Sequence, residues 1–250
     1  MDLSWYGADL HVHTALSPCA HDGMSPSRIV RAAGERGISI LGITDHNSAA
    51  NAGAVTKAAE GTPVRVLPGM EVQTREEVHV ICLFETVERA RLLQDWVYER
   101  LPELPYSPQV FGRQILYDED DRVLGECTMP LYAAVSAGLD ELALEMDRLG
   151  GIMIAAHVDR PAFSVIGTLG FIPPDVHFDA VEISQRFEAG SIPPGIRRHL
   201  RDCGVVRSSD AHSIGEVGSA VTAFHIAGVS IAEMRAALRG EGLRRVVVLE

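Results

Sequence analysis

The sequence has few of the features that mark secreted or membrane proteins. Its 250 residues include only four cysteines, at positions 19, 82, 127 and 203, with no C-x-x-C pair. Scattered cysteines favour a reducing compartment over a disulfide framework. No apolar run approaches membrane-spanning length, and no basic segment followed by an apolar stretch opens the chain. We therefore expect a cytoplasmic protein that binds no membrane.

Positive charge is also scarce. Lys and Arg number 22 against 34 Asp and Glu, which makes the formal net charge −12. This balance disfavours binding along a nucleic-acid backbone. Divalent cations held in a site would offset part of the charge locally, so a phosphorylated substrate is compatible with it. We therefore expect a small phosphorylated substrate, including a nucleotide, and no long nucleic acid.

Strand and helix signals alternate along the chain. Residues 38–43 and 152–156 are almost wholly apolar, which is typical of parallel strands buried on both faces, and residues 87–101 have helical periodicity. A further helix is predicted around residues 196–203. Repeated strand–helix units predict an α/β barrel in a single domain over residues 1–250. The alternation stops between residues 102 and 129, where we predict an insertion or lid.

An Asp-Leu-His-Val-His stretch near the start carries the first chemical signal. Because alternate residues of a strand point to opposite faces, we predict Asp9, His11 and His13 on one side. Leu10 and Val12 are then expected to pack together on the other side. Two imidazoles spaced in this way can reach one metal cluster, and Asp9 is expected to support them rather than to bind a metal itself.

Further histidines and carboxylates lie at or near the carboxyl ends of predicted strands. Active sites of α/β barrels are built at this face. Imidazoles with two carboxylates and almost no sulfur suit a multinuclear zinc, manganese or iron site. The members of this set are His11, His13, His46, Glu71, His79, His157, Asp210 and His212.

Five motifs resemble, in order, those of the PHP family, the polymerase and histidinol phosphatase superfamily. They are Asp-Leu-His-Val-His-Thr at 9–14, Ile-Thr-Asp-His at 43–46, Gly-Met-Glu-Val at 69–72, Ala-His at 156–157 and Ser-Asp-Ala-His at 209–212. The resemblance covers nearly the whole chain. It implies a distorted seven-stranded β/α barrel, (β/α)7, and a trinuclear site with nine ligands. Eight ligands would be the set above, holding two or three zinc, manganese or iron ions.

The ninth ligand is implied to come from the loop after the first strand. Relatives place an Asp or a His there, and counting back from Pro26 without a gap reaches His21. We take His21 as this ligand. Asp22 and Cys19 stay open as alternatives, and a thiolate at Cys19 would bias the site toward zinc.

A cluster of cations suits hydrolysis of a phosphoester by a metal-activated water. Within such a site Glu71 is predicted to be the bridging carboxylate. Asp45 is predicted to orient its neighbour His46 or to carry a proton. Arg160 is predicted to bind a non-bridging phosphate oxygen, and Arg186 is a second candidate for that role.

Motifs of nucleotide-driven and acyl-enzyme chemistry are missing, since there is no P-loop, G-x-G-x-x-G or nucleophilic serine elbow. We therefore predict a metal-dependent phosphoesterase that acts on a small phosphorylated metabolite, a nucleotide or the end of an oligonucleotide. Two alternatives stay open: an amidohydrolase-like hydrolase of C–N bonds, and a non-catalytic PHP domain with a structural or binding role. The filled motif positions favour the enzyme.

Overall fold

Eleven strands and seven helices are found in residues 2–187 and 203–249, which the computed structural model describes. The strands are β1 (Ser4–Val12), β2 (Ile40–Ile43), β3 (Arg65–Gln73), β4 (His79–Leu83), β5 (Ile115–Tyr117), β6 (Val123–Glu126), β7 (Ile152–Ala155), β8 (Ala180–Ile183), β9 (Gly204–Arg207), β10 (Thr222–Ile226) and β11 (Arg245–Val248). The helices are α1 (Pro26–Glu35), α2 (Ala52–Ala58), α3 (Val87–Tyr98), α4 (Pro108–Phe111), α5 (Leu139–Leu149), α6 (Val165–Leu169) and α7 (Ile231–Leu238). The helix predicted around 196–203 lies outside the described residues, which resume at 203.

Seven strands form a ring in the order β1-β2-β3-β4-β7-β8-β9. The ring closes just beyond β9, where Ala211 pairs with Val12 of β1. There the backbone N–H of His13 donates to the Ala211 carbonyl at 3.0 Å. Strand β10 pairs antiparallel with the first half of β1, and β11 pairs antiparallel with the other edge of β10. The predicted distorted (β/α)7 barrel is therefore confirmed.

The distortion comes from β4, which runs antiparallel to both of its neighbours, β3 and β7. Only residues 74–78 connect β3 to β4, and the Thr74 N–H donates to the Val78 carbonyl at 2.9 Å. A parallel crossover needs roughly a dozen residues or more, so this connection permits only a hairpin. The reversal places His79, the first residue of β4, opposite Gln73 at the end of β3. The start of β4 therefore reaches the mouth of the barrel.

Two apolar clusters sandwich the strands. One joins alternate strand residues, including Leu10, to the apolar face of α7. The other joins the opposite strand faces, including Val12, to α1, α2, α3 and α5. The prediction that Leu10 and Val12 share one face is therefore wrong. A register shift between Asp9 and Val12 reverses the alternation within β1.

The predicted insertion at 102–129 contains the short helix α4 and the separate hairpin β5–β6. Its anchor to the barrel is the buried Asn51, whose side-chain amide donates to the Ile115 carbonyl at 2.9 Å. The Asn51 side-chain oxygen accepts from the Tyr117 N–H at 3.0 Å. In residues 2–187 and 203–249 as a whole, no helix is both long enough and apolar enough to cross a membrane.

Candidate metal centre

Glu71 lies at the centre of a cluster of imidazoles in the mouth of the barrel. Its side chain is 1% exposed, and five ring nitrogens lie within 3.5 Å of its two oxygens. Oε1 faces His79 Nδ1 at 2.9 Å, His157 Nε2 at 3.2 Å and His11 Nε2 at 3.4 Å, whereas Oε2 faces His46 Nδ1 at 3.0 Å and His13 Nε2 at 3.5 Å. The carboxylate of β3 thus connects five side chains from four other segments of the chain.

Asp210 supplies the second carboxylate of the cluster. Its Oδ1 lies 3.3 Å from His11 Nε2 and 3.2 Å from His13 Nε2. The His212 ring stacks on His13 with centroids 4.3 Å apart, and its Nδ1 lies 2.8 Å from the Asp210 carbonyl. The structure therefore brings the eight strand-end residues predicted from the sequence to one place.

Burial and charge set opposite protonation states within this cluster. Burial raises the pKa of Glu71, but His79, His11 and His46 outweigh it and hold the pKa well below its usual value. Burial lowers the pKa of His13, and the neighbouring His212 and His46 keep it well below the ordinary value. An anionic carboxylate therefore faces a neutral ring whose nitrogen lone pair can bind a metal.

The donor set fits divalent cations. The Nε2 atoms of His11 and His13 lie 3.1 Å apart, beside both carboxylates. The Nδ1 atom of His157 is buried and has no hydrogen-bond partner. Three triads within the cluster have donor atoms within 4.8 Å of one another, and together they include every member except His157. Nitrogen and carboxylate donors in this arrangement suit zinc, manganese or iron.

Backbone strain accompanies the site. His157 has φ 30°, Asp210 has φ 52° and Asn47, which follows His46, has φ 50°. Residues other than glycine rarely adopt this left-handed region, and such outliers cluster at functional sites. The fold thus holds two predicted ligands in conformations that they would not adopt by preference.

Glu182, which sequence reasoning missed, orients two members of the cluster from the strand β8. Its Oε2 lies 3.0 Å from His11 Nδ1 and accepts the His157 backbone N–H at 3.1 Å. The carboxylate therefore fixes His11 with Nε2 directed at Glu71 and Asp210. The available signal was a single charged residue within the otherwise apolar Ala-Val-Glu-Ile strand.

We expect Glu182→Gln to weaken metal binding by roughly 10- to 100-fold, as found when a group that orients a metal-binding histidine is lost. The amide removes the negative charge and replaces one of the two acceptor oxygens with a donor. Competition titration with a chromophoric chelator measures this affinity. Glu126→Gln, on the exposed strand β6, is the matched control and should leave the affinity unchanged. Equal affinity in both variants would contradict the orienting role.

Asp45 lies behind the cluster, fully buried. It accepts hydrogen bonds from the Thr14 N–H, the Thr14 hydroxyl and the Ser17 hydroxyl, each at 2.7 Å. The Ser17 oxygen in turn lies 2.9 Å from His13 Nδ1. Asp45 thus acts on the position of His13 through Ser17.

Asp9 ties β1 to the segment that carries Asp210. Its oxygens accept the Ser209 N–H at 3.0 Å, the Ser209 hydroxyl at 2.6 Å and the Gly218 N–H at 2.7 Å. These contacts fix the strand end beside His11, and Asp9 belongs to none of the candidate metal-binding triads among the described residues.

The structure keeps the His21 side chain out of the cluster, although the His21 backbone N–H donates to the His212 carbonyl at 2.9 Å. The His21 side chain is exposed and its Nδ1 accepts the Gly23 N–H at 3.0 Å. Asp22 is also exposed and pairs with Arg113 at 3.0 Å. Cys19 instead lies beside the cluster and is partly exposed: its partial burial raises the pKa of the thiol, but the neighbouring His212 and His46 outweigh this and lower the pKa to about 6.

The two predicted phosphate-binding arginines lie in different settings. Arg160 is 44% exposed at the rim of the cluster, where its Nη2 donates to Asp210 Oδ2 at 2.5 Å. Arg186 is exposed in the turn after β8. Of the two, Arg160 is the one in direct contact with the cluster.

A cluster of imidazoles and carboxylates at the mouth of a seven-stranded barrel is the arrangement expected of a metal-dependent barrel hydrolase. The family model described as PHP domain matches residues 9–163, and the model described as PHP-associated matches residues 199–241. The chain belongs to the PHP domain family. Membership supports a PHP-type hydrolase with divalent metal ions.

Solved structures share this fold at low sequence identity. The lesion-specific endonuclease PfuEndoQ from Pyrococcus furiosus has a TM-score of 0.72 at 18% identity, over 97% of this chain and 58% of that chain. An endonuclease Q in complex with a 27-mer duplex that carries an abasic lesion at the active site has a TM-score of 0.67 at 17% identity, with the same coverage. PsfC from Pseudomonas syringae has a TM-score of 0.58 at 15% identity, over 100% of this chain and 93% of that chain.

The chain thus spans 58% of the length of each endonuclease Q. The comparison with curated proteins found no match.

The endonuclease Q complex corrects the expected partner. The net charge predicted a small phosphorylated substrate and no long nucleic acid, whereas a protein with this barrel is solved with a 27-mer duplex at its active site. The net charge sums over the whole surface and counts carboxylates that bound cations would neutralise. Binding depends instead on the local field at the site. The expectation of a small substrate was therefore wrong.

Proposed function

We propose that this protein is a metal-dependent hydrolase of phosphodiester bonds in DNA. The observation that carries the proposal is the convergence of Glu71, Asp210 and six imidazoles at one barrel mouth, with Arg160 bound to its rim. Endonuclease Q, which shares this fold, provides the precedent, because it was solved with a 27-mer duplex that carries an abasic lesion at the active site. A cytoplasmic location, which supplies DNA and suits scattered thiols, is part of the proposal.

In this proposal the eight clustered side chains hold two or three zinc, manganese or iron ions. Glu71 is the bridging ligand, because its two oxygens face different imidazoles. Cys19 is the proposed donor from the loop in place of His21, because its thiol lies beside His46 and His212 and its lowered pKa favours the thiolate. When bound, such cations lower the pKa of water and neutralise negative charge on a phosphoryl group.

The protein's own contribution is to position the substrate and the ligands. Arg160 uses one Nη2 hydrogen bond to hold Asp210, and its half-exposed guanidinium has further donors for a non-bridging phosphate oxygen. Asp45 and Glu182 orient His13 and His11 from behind. Arg186, further from the cluster, is proposed to contact a neighbouring phosphate of the same strand.

The test is cleavage of end-labelled oligonucleotides by metal-loaded protein, with single strands, intact duplexes and duplexes that carry an abasic site. We expect strand cleavage with manganese or zinc, and none after chelation or in Asp210→Asn protein purified in parallel. The Asp210→Asn sample controls for a contaminating nuclease. Turnover of amides without cleavage of any phosphodiester would contradict the proposal in favour of C–N hydrolysis. Metal and DNA binding without turnover would favour a binding module.

A further inference from the structure

Phe163 stacks on His79, one of the imidazoles of the candidate metal centre. Its ring stacks on the His79 ring with centroids 4.9 Å apart and planes 24° apart, and His79 Nδ1 lies 2.9 Å from Glu71 Oε1. The side chain is nevertheless 44% exposed. A large aromatic ring therefore lies one imidazole away from Glu71, with part of its surface open to solvent.

The backbone holds this ring in place against its own preference. Phe163 has φ 58°, in the left-handed region that a bulky side chain rarely adopts. Its carbonyl accepts the His79 N–H at 2.8 Å. Next to it, the buried Ser164 hydroxyl donates to the Arg160 carbonyl at 2.6 Å and accepts the Gly167 N–H at 2.9 Å. Such strain persists where the surrounding structure over-determines it, and it is a mark of functional positions.

Gly167 packs closely against the backbone of this turn. A Cβ atom at Gly167 would lie 2.6 Å from the carbonyl oxygens of both Arg160 and Pro161. The backbone that links Arg160 to Phe163 is therefore packed against the start of α6. This packing sets the positions from which the two side chains extend. The guanidinium and the aromatic ring occupy the same rim, only three residues apart.

A cation and an aromatic face beside a phosphate-hydrolysing cluster match the two halves of a nucleotide. The guanidinium suits the phosphate, and the aromatic face suits a base, because every base has a π-face that stacks on aromatic side chains. We propose that the open part of Phe163 stacks on the nucleobase next to the scissile phosphodiester. This inference rests on the proposed function and names the residue that positions the strand.

Two substitutions separate stacking from simple coverage of His79. Phe163→Leu keeps an apolar side chain over the imidazole but removes the π-face, whereas Phe163→Trp keeps a π-face. Phe171→Leu, at an exposed phenylalanine just beyond α6, is the matched control. Each protein is assayed for metal content, for kcat and KM on a single-stranded oligonucleotide, and for quenching of 2-aminopurine placed along the strand.

We expect Phe163→Leu to raise KM by about 10-fold, the effect of losing one base–aromatic stack, with little change in kcat or metal content. The quenching of 2-aminopurine should be lost at one position of the strand. An abasic nucleotide at that position should remove the difference between Phe163→Leu and the wild type. Phe163→Trp should restore KM, and Phe171→Leu should behave like the wild type.

The outcomes distinguish this inference from the proposed function. If Phe163→Leu lowers kcat and metal content, or raises KM equally on base-bearing and abasic strands, Phe163 only covers His79 and the inference is overturned. If the wild type quenches 2-aminopurine through Phe163 but cleaves no DNA, stacking stands and the proposed function falls. If Phe163→Leu cleaves DNA with the KM and the 2-aminopurine quenching of the wild type, the proposed function stands and the stacking inference is overturned.

Discussion

Glu71→Gln is expected to lower the rate of hydrolysis by about 1,000-fold or more, since bound cations supply several kcal/mol of transition-state stabilisation. Glu71 is the anion that five imidazoles share. The glutamine has nearly the same shape but has no charge, and its NH2 group must face ring nitrogens where an oxygen stood. The expected result is therefore loss of cations together with loss of turnover.

Metal content by mass spectrometry and cleavage of the labelled oligonucleotide measure these two effects on the same preparation. Circular dichroism of the metal-free wild type and variant checks that the barrel remains folded. Glu126→Gln on the β5–β6 hairpin should keep both metal and activity. Full metal content with full activity in Glu71→Gln would exclude Glu71 from the site.

The second large effect is expected on stability. Asp45→Ala should lower the free energy of unfolding by about 3–5 kcal/mol, because each buried donor left without an acceptor costs about 1–3 kcal/mol. Three donors from Thr14 and Ser17 converge on this carboxylate, and truncation leaves them buried without an acceptor. Urea denaturation of the metal-free protein measures the change without a contribution from metal binding.

Asp121→Ala is the matched control for this experiment. Asp121 also accepts a backbone N–H and a hydroxyl, both from Ser27, at 2.8 and 2.5 Å, but in an exposed setting. Water can replace those bonds, and the left-handed φ of 64° at Asp121 adds about 1 kcal/mol for alanine, so the expected loss is about 1–2 kcal/mol. If Asp45→Ala were no more destabilising than Asp121→Ala, while activity fell strongly, the proton-carrying role predicted for Asp45 would be the better account.

Much of the site follows from the sequence because its residues lie where strands end. The carboxyl ends of parallel strands share one edge, so His11, His46 and His157 had to converge once the alternation was recognised. Their donor chemistry also predicts a metal centre without any structure. His79 reaches the site for a different reason: the short β3–β4 connection reverses the direction of β4, so the first residue of that strand lies at the mouth of the barrel.

Other features depend on geometry that residue order does not record. The register shift in β1 puts Leu10 and Val12 in different clusters, although the alternating pattern predicts one face. In the first loop, counting from Pro26 selects His21, whose Nδ1 accepts the Gly23 N–H, whereas the Cys19 thiol lies beside His46 and His212. Glu182 was overlooked because its partners, His11 and His157, come from two other strands.

The closure of the barrel just beyond β9 has a consequence for assembly. His11 and His13 stand on one side of the Val12–Ala211 pairing, and Asp210 and His212 stand on the other, about 200 residues along the chain. A cation bound by residues from both sides would link the first and last strands of the ring where the barrel closes. A nascent or truncated chain that lacks Asp210 and His212 has only part of this ligand set, so full metal binding would indicate that the ring is complete.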